Sequence, residues 1–248
     1  MVIATGDTHG DFRRFDIQHL PQQKDMHRGD YILICGDFGG VWAGGEHDKA
    51  KLDFMEERPF TTLFIDGNHE NFDALNEYPV ENWNGGKVRF IRPHVIHLMR
   101  GQVYRIEDHS FFTMGGGRSN DVSDGILDPE EPGFEDRYWE LRQRKALFRV
   151  KHLEWWEEEM PSQAEYDEAL QNLSRADNRV DFVITHCPPS SILDEMSHGR
   201  LRHDALTDFL DLVRSRAQFR RWLFGHYHHI HDVNEQFSML YGNFIQLV

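Results

Sequence analysis

The chain has 248 residues with 42 acidic and 27 basic side chains, which gives a formal net charge of −15 at pH 7. This length suits one α/β domain with an insertion, or two small domains, around a large core. The charge repels polyanions, so long nucleic acid and anionic lipid are disfavoured partners. The apolar runs stop well short of the roughly 18 residues that cross a bilayer, which excludes a membrane-spanning helix.

The cysteines and the first residues indicate a location. Cys35 and Cys187 form no C-x-x-C pair, which fits a reducing compartment and excludes a disulfide scaffold or a thiolate zinc site. The chain opens on the apolar stretch Val2–Thr5, without the basic and apolar regions of a secretory signal. We therefore predict a soluble, cytoplasmic protein.

The first part of the chain predicts alternating strands and helices. Buried-strand runs cover residues 2–5, 31–35 and 63–65, and helical stretches follow at 11–20, 47–58 and 70–78. Strands about thirty residues apart, with helices between them, are typical of a parallel sheet with right-handed crossovers. Short alternating strands then follow at 88–91, 95–99, 103–106 and 110–114. They predict antiparallel sheet, added at one side or forming a second layer.

Residues 122–178 differ in composition from the rest of the chain. An acidic, Pro/Gly-rich loop precedes a charged helical stretch at 137–159, and Ser162 caps a further helix that ends at about Ser174. We interpret 122–178 as a helical insertion in a single domain that covers residues 1–248. The core pattern then resumes, with strands at 181–185 and 222–224, a helix at 204–216 and two strands within 237–248.

Residues able to bind metal follow five of the predicted strands within two or three positions. They are Asp7 and His9, Asp37, Asn68 and His69, His186, and His226 and His228. One such cluster would be interpreted as a simple turn, but five at the carboxyl ends of strands form a pattern. Because parallel strands place these ends along one edge of a sheet, we expect the side chains to converge there.

The donor types indicate which metals such a site would hold. Imidazole together with carboxylate suits Mn²⁺, Fe or Zn²⁺ better than the all-oxygen sites of Mg²⁺ or Ca²⁺. A carboxylate can bridge two ions and an imidazole cannot, so Asp37, flanked by glycines, is the natural shared ligand. Bound cations would also make the pocket locally positive despite the total charge of the chain.

The motifs Gly6-Asp7-x-His9, Gly36-Asp37, Gly67-Asn68-His69-Glu70, His186 and Gly225-His226-x-His228 resemble the five ordered blocks of the calcineurin-like metallophosphoesterase superfamily. The resemblance implies a four-layer α/β/β/α sandwich that holds two metal ions. It implies that one ion is bound by Asp7, His9, Asp37 and His228, and the other by Asp37, Asn68, His186 and His226. It also implies that His69 binds no metal and faces the leaving group.

The resemblance implies a phosphoester hydrolase with a defined mechanism. Two cations about 3.5–4 Å apart make a bridging hydroxide available to attack phosphorus and clamp the phosphoryl oxygens. His69, as the imidazolium, would protonate the departing oxygen, a contribution of about 10² to 10⁴ in rate. The expected partner is a phosphorylated small molecule, and the oligomeric state is left open.

Two positions depart from the serine/threonine protein phosphatase branch of this superfamily. That branch has an arginine in the second block and another before Gly-Asn-His-Glu, whereas this chain has Phe38-Gly39-Gly40 and Asp66 there. Their absence favours a small or medium phosphodiester over a monoester. Arg118, after a triple glycine, is a candidate replacement, and a surface arginine paired with a nearby acid is the alternative interpretation.

Three other functions compete with this prediction. The first is a phosphomonoesterase, including protein phosphatase activity. The second is a nuclease, which the net charge and the lack of a basic patch disfavour. The third is a non-catalytic scaffold like the retromer subunit that has lost the leaving-group histidine. The presence of His69 and of all seven metal-binding candidates argues against the scaffold.

Overall fold

Two β-sheets stacked face to face form the centre of the structure, a computed structural model that describes all residues from 1 to 248. The strands are β1 (Val2–Thr5), β2 (Tyr31–Cys35), β3 (Thr61–Ile65), β4 (Val80–Trp83), β5 (Gly86–Arg92), β6 (Val95–Leu98), β7 (Gln102–Ile106), β8 (His109–Met114), β9 (Gly125–Leu127), β10 (Phe148–Val150), β11 (Phe182–Thr185), β12 (Arg221–Phe224), β13 (His231–Asp232), β14 (Phe237–Met239) and β15 (Phe244–Gln246). The helices are α1 (Gly45–Glu56), α2 (Phe72–Asn76), α3 (Phe134–Gln143), α4 (Gln163–Arg175), α5 (Ser190–Ser197) and α6 (Ala205–Arg216).

The first sheet has seven strands in the order β15-β1-β2-β3-β6-β5-β4, and the second has six in the order β13-β14-β12-β11-β8-β7. Strands β1, β2, β3 and β6 run parallel, which confirms the parallel sheet predicted for the first part of the chain. Strands β8, β11, β12 and β14 form a second parallel group. The carboxyl ends of β1 to β3, β11 and β12 carry the candidate ligands.

Three hydrophobic cores produce the four layers. One core lies between the sheets, where Leu33 and Leu63 of the first sheet share a cluster with Phe111 and Ile184 of the second. A second core covers the outer face of the first sheet with side chains of α1 and α2. The third covers the second sheet with side chains of α4, α5 and α6. This α/β/β/α arrangement confirms the predicted fold class.

The strands between residues 80 and 114 divide between the two sheets. Strands β4, β5 and β6 extend the first sheet, and the hairpin of β7 and β8 forms the edge of the second. The chain crosses between sheets at Met99–Gly101, where Thr113 Oγ1 donates to the carbonyl of Met99 at 2.9 Å. The predicted antiparallel region therefore divides in two. One half is added to the first sheet, and the other half belongs to the second layer.

Two predicted helices are wrong. Residues 11–20 form only a 3₁₀ turn at Arg13–Phe15, because the Arg14 guanidinium donates to backbone carbonyls of the site loops and Pro21 disfavours a helical Leu20. The stretch at 137–159 is α-helical only to Gln143 and forms one further 3₁₀ turn at Glu157–Glu159. Lys145 then has a left-handed φ of 51°, and the chain continues into β10, which pairs in parallel with β9.

The other insertion helix follows its predicted boundaries. Ser162 and Glu165 form a reciprocal capping box at the start of α4, and Ala169 and Leu173 pack into the core of the second sheet. The division of the chain into one domain with an insertion stays a prediction. None of the six helices combines the length and the apolar character that a bilayer crossing requires.

Candidate metal centre

The candidate metal-binding residues converge where strand ends of the two sheets meet. Asp7, Asp37 and Asn68 follow strands of the first sheet, whereas His186 and His226 follow strands of the second. The expectation that one sheet edge carries all of them is therefore wrong. The stacking of the sheets brings the two sets together, and the His226 backbone N–H donates to both Asp7 carboxylate oxygens at 3.1 Å.

The first cluster comprises Asp7, His9, Asp37 and His228, and one potential ligand atom from each lies within 4.8 Å of the others. The Nε2 atoms of His9 and His228 are 2.9 Å apart. His228 Nε2 lies 3.2 Å from Asp7 Oδ2, and His9 Nε2 lies 3.6 Å from Asp37 Oδ2. Two imidazoles and two carboxylates at such separations are a donor set suited to one transition-metal ion.

The second cluster surrounds His186. Its Nε2 lies 3.1 Å from Asn68 Oδ1, 3.2 Å from His226 Nδ1 and 3.5 Å from Asp37 Oδ1. Asp37 thus turns one carboxylate oxygen towards each cluster, Oδ2 to the first and Oδ1 to the second. This is the arrangement that a shared ligand between two ions requires.

Hydrogen bonds behind the second cluster orient its donors. His186 Nδ1 donates to the Cys35 carbonyl at 2.9 Å, so Nε2 faces the cluster. The Asn68 amide nitrogen donates to Ser119 Oγ at 3.2 Å, which turns the amide oxygen to the same side. Backbone and hydroxyl partners of this kind fix the orientation of metal ligands. The donor set therefore fits two metal ions.

The backbone around the centre is strained at four of these residues. His9, Asp37, His226 and His228 have φ values of 47°, 45°, 71° and 51°. Residues other than glycine adopt the left-handed region in only a few per cent of cases, and such outliers cluster at functional sites. Gly36, with φ at 100°, cannot be replaced without strain, because a Cβ atom there would overlap the His186 ring.

The electrostatics of the buried histidines favour a bound cation. Burial lowers the pKa of His186, but Asp37 and Asp7 outweigh it and raise the pKa to about 10. Burial and the nearby His186 ring lower the pKa of His226 to about 3. Burial would raise the pKa of Asp37, yet His186 and other histidines hold it well below its usual range. The carboxylates thus attract one positive charge, which a metal ion can supply instead of a proton.

His69 lies beside the first cluster without joining it. Its backbone N–H donates to Asp37 Oδ1 at 2.8 Å, and its ring meets the His9 ring edge to face at 5.4 Å between centroids. Burial lowers the pKa of His69 against the attraction of the Asp37 carboxylate, and Arg149 lowers it further. The imidazolium form of the half-buried His69 ring is therefore a stronger acid than that of a free histidine.

Several supporting residues escaped the sequence analysis. Arg14 donates to the carbonyls of Gly6 and Asp7, and buried Glu159 accepts from Ser119, the partner of Asn68. Arg14 lies in a segment whose sequence pattern predicts an amphipathic helix, where an arginine is expected on the solvent-exposed face. Glu159 ends a run of three acids typical of a solvated surface. No local sequence signal separates such residues from surface charges.

Arg118 lies at the edge of the centre. It is exposed and lines a cavity of about 360 Å³ together with His226, Asn120 and Arg202. It forms no salt bridge with an acid, unlike the paired surface arginine that was the alternative interpretation. Asn120, absent from the sequence analysis, brings its side-chain nitrogen to 3.4 Å from His226 Nε2.

A two-sheet α/β sandwich with a carboxylate shared between two imidazole-rich clusters is an arrangement suited to a hydrolase with a dinuclear metal centre. The chain belongs to the calcineurin-like phosphoesterase family, which matches residues 1–229. This confirms the resemblance carried by the five motifs. The family depends on two metal ions, and the identity of the ions is not fixed by the family.

The chain is similar to two lariat debranching enzymes. The chain is 23% identical over 211 residues to a lariat debranching enzyme of Caenorhabditis elegans, covering 78% of this chain and 38% of that protein. It is 29% identical over 120 residues to a lariat debranching enzyme of Danio rerio, covering 42% of this chain and 20% of that protein. The chain therefore spans well under half the length of both relatives.

Proposed function

We propose that the chain is a dinuclear-metal phosphodiesterase for small or medium organic phosphates, in which His69 protonates the leaving group. The observation that carries this proposal is the position of Asp37, whose two oxygens face two different clusters while one of them also accepts the His69 backbone N–H. This hydrogen bond holds His69, the proposed proton donor, at a defined position relative to Asp37, the proposed shared ligand.

Asp7, His9, Asp37 and His228 would hold one ion, and Asp37, Asn68, His186 and His226 the other. The mixture of imidazole and carboxylate favours Mn²⁺, Fe or Zn²⁺. When bound, such a pair of ions supplies an acidified water as nucleophile and neutralises charge on the phosphoryl group.

His69 would act from the side of the first cluster. The hydrogen bond from its backbone to Asp37 holds its position, and its lowered pKa makes the imidazolium a stronger acid than a free histidine. The sign of this shift has a kinetic consequence. The protonated fraction falls as the pH rises through the pKa, so turnover limited by proton donation should decline towards alkaline pH.

The preference for diesters rests on the cations near the centre. Asp66, at the position where protein phosphatases carry an arginine, is buried and accepts from His97 at 3.0 Å and from Arg100 at 2.8 Å. Arg100 is thereby held in the core rather than offered to substrate. Arg118 remains as an exposed candidate beside His226. The relatives' name, lariat debranching enzyme, also denotes action on a diester.

The test compares bis(p-nitrophenyl) phosphate with p-nitrophenyl phosphate in the presence of Mn²⁺. We expect kcat/KM for the diester to exceed that for the monoester, and Arg118→Gln to raise KM for the diester with little change in kcat. A higher kcat/KM for the monoester would support a phosphomonoesterase. A metal-loaded preparation inert towards both, and towards a broader phosphoester panel, would support a non-catalytic scaffold.

A further inference from the structure

A second cavity, of about 460 Å³, opens between α3 and β10 within the 122–178 insertion. Its walls include the cations Arg142, Lys145 and Arg149 and the aromatic rings of Tyr138 and Phe148. The two rings meet edge to face at 5.7 Å, and the Arg142 guanidinium lies 5.9 Å from the centre of the Tyr138 ring. Cations beside aromatic walls are a combination suited to an anionic organic group.

The charge of this cavity opposes that of the whole chain. Its three cations face two acids, Asp121 and Glu154, although the chain carries 42 acids against 27 bases. Arg149 is occupied by Asp121, with its Nε at 3.1 and 3.2 Å from the two carboxylate oxygens. Arg142 and Lys145 are exposed and form no salt bridge. They are therefore available to an external anion.

The same stretch of chain offers an internal contrast. Arg137 and Arg144 both pair with Glu140, at 2.8 and 3.1 Å. They do not line the cavity. Thus Arg137 and Arg144, away from the cavity, share an acid on α3, whereas Arg142 and Lys145, which face the cavity, pair with none.

Three consecutive residues connect this cavity to the metal centre. Ser119 accepts from Asn68 at 3.2 Å, Asn120 lies 3.4 Å from His226, and Asp121 pairs with Arg149 in the cavity wall. Consecutive Cα atoms are about 3.8 Å apart, so the cavity begins within two residues of groups that touch candidate ligands. Asn68, which donates to Ser119, directly precedes His69 in the chain. The cavity therefore opens on the His69 side.

We propose that Arg142 and Lys145 form an anion site that binds a second phosphate, carried by the leaving group of the substrate. This inference rests on the proposed function, because the departing alcohol is expected on the His69 side. The preferred substrates are then diesters whose departing alcohol is itself phosphorylated. The net charge still disfavours long nucleic acid.

The test uses three dinucleotides: dithymidine monophosphate, and the same compound with one added phosphate at its 5′ end or at its 3′ end. In the wild type, the isomer with the added phosphate on the departing nucleoside should have a KM about tenfold lower than the other two dinucleotides. One charge-assisted contact is worth a difference of this size. The advantage should shrink at high salt, because exposed cations are screened.

The double variant Arg142→Gln/Lys145→Gln should lose this advantage and keep its activity on bis(p-nitrophenyl) phosphate. The control, Arg137→Gln/Arg144→Gln, removes the same charge outside the cavity and should retain the advantage. Equal KM values for all three dinucleotides in the wild type, or equal loss in both double variants, would overturn the anion site. A wild type inert towards bis(p-nitrophenyl) phosphate would instead overturn the proposed function, and the anion site with it.

Discussion

The two clusters that share Asp37 differ in their exposure to solvent. In the first cluster the His9 side chain is 34% exposed and the His228 side chain 45%. In the second, His186 is fully buried, Asn68 is 4% exposed and His226 is half-buried. An ion held by solvent-exposed ligands exchanges with less rearrangement than one enclosed by protein. The comparison therefore predicts one labile and one retained ion.

The difference follows from the position of each cluster relative to the sheets. The second cluster is covered by the segment after β8, where Gly117 lies close to both His186 and Asn68 and Ser119 fixes the Asn68 amide. In the first cluster the Tyr241 ring stacks on the His228 ring at 4.8 Å between centroids, but His9 and His228 stay solvent-exposed and the cluster lies towards His69. Its open side is where a phosphoryl group can enter.

Asp37→Ala gives the largest expected effect, because this variant removes the ligand common to both clusters. We expect both ions to be lost and diester hydrolysis to fall at least about 10³-fold, since a single electrostatic contact to the reacting group is worth about 10²–10³. Elemental analysis of the purified variant checks the metal content. Two ions per chain in Asp37→Ala would exclude its role as the shared ligand.

His69→Ala should separate catalysis from metal binding. We expect both ions to be retained and turnover of a dinucleotide to fall by about 10²–10⁴, because the departing alkoxide then lacks a proton donor. The loss should be much smaller for bis(p-nitrophenyl) phosphate, whose leaving group departs without protonation. Metal loss equal to that of Asp37→Ala, or equal rate losses on both substrates, would contradict the assignment.

The candidate metal-binding residues were easier to find in the sequence than the arrangement of the strands around them. Apolar runs that end abruptly in Asp, Asn or His mark strand ends wherever the strands lie, so Asp37 and His186 could be identified without knowledge of the sheets. The assignment of strands to sheets could not, because β5 and β7 share the same alternating pattern and only tertiary packing places them in different sheets.

The insertion was predicted least well, for a related reason. The stretch at 137–159 is rich in Glu, Arg, Lys and Leu, and this composition as a whole favours helix. The turn at Lys145 and the pairing of β10 with β9 depend on contacts between residues more than 20 positions apart, such as that of Leu147 N–H with Asp124. Such contacts leave no periodic signal in the local sequence.

Removal of one ligand from each cluster sharpens the comparison between the two ions. His228→Ala and His186→Ala should each retain about one ion per chain. The ion left in His228→Ala should resist chelation as strongly as the retained ion of the wild type. Loss of a residue that hydrogen-bonds to a metal ligand lowers metal affinity about 10–100-fold. Loss of the ligand itself should lower metal affinity by more than this. The measurement is metal content during dialysis against a chelator. Release of both wild-type ions in a single phase would contradict the difference between the clusters.

The smallest predicted effect concerns the stability of the chelated protein. The pKa of His186 is raised from 6.5 to about 10, so the folded chain binds a proton that the unfolded chain releases between these values. The stabilisation is complete below pH 6.5 and is lost as the pH rises towards 10. We expect the Tm of the chelated protein to fall by several degrees over this range, since about 1 kcal/mol shifts Tm by about 2–4 °C at this chain length.

Two controls isolate the contribution of His186 from other groups that titrate at alkaline pH. In His186→Asn the decrease in Tm should be shallower, because the group that binds the extra proton is missing. In the metal-loaded protein the decrease should also be shallower, since a cation replaces that proton and binding strengthens as the pH rises. An identical slope in all three preparations would show that His186 does not hold the positive charge that the Asp7 and Asp37 carboxylates attract.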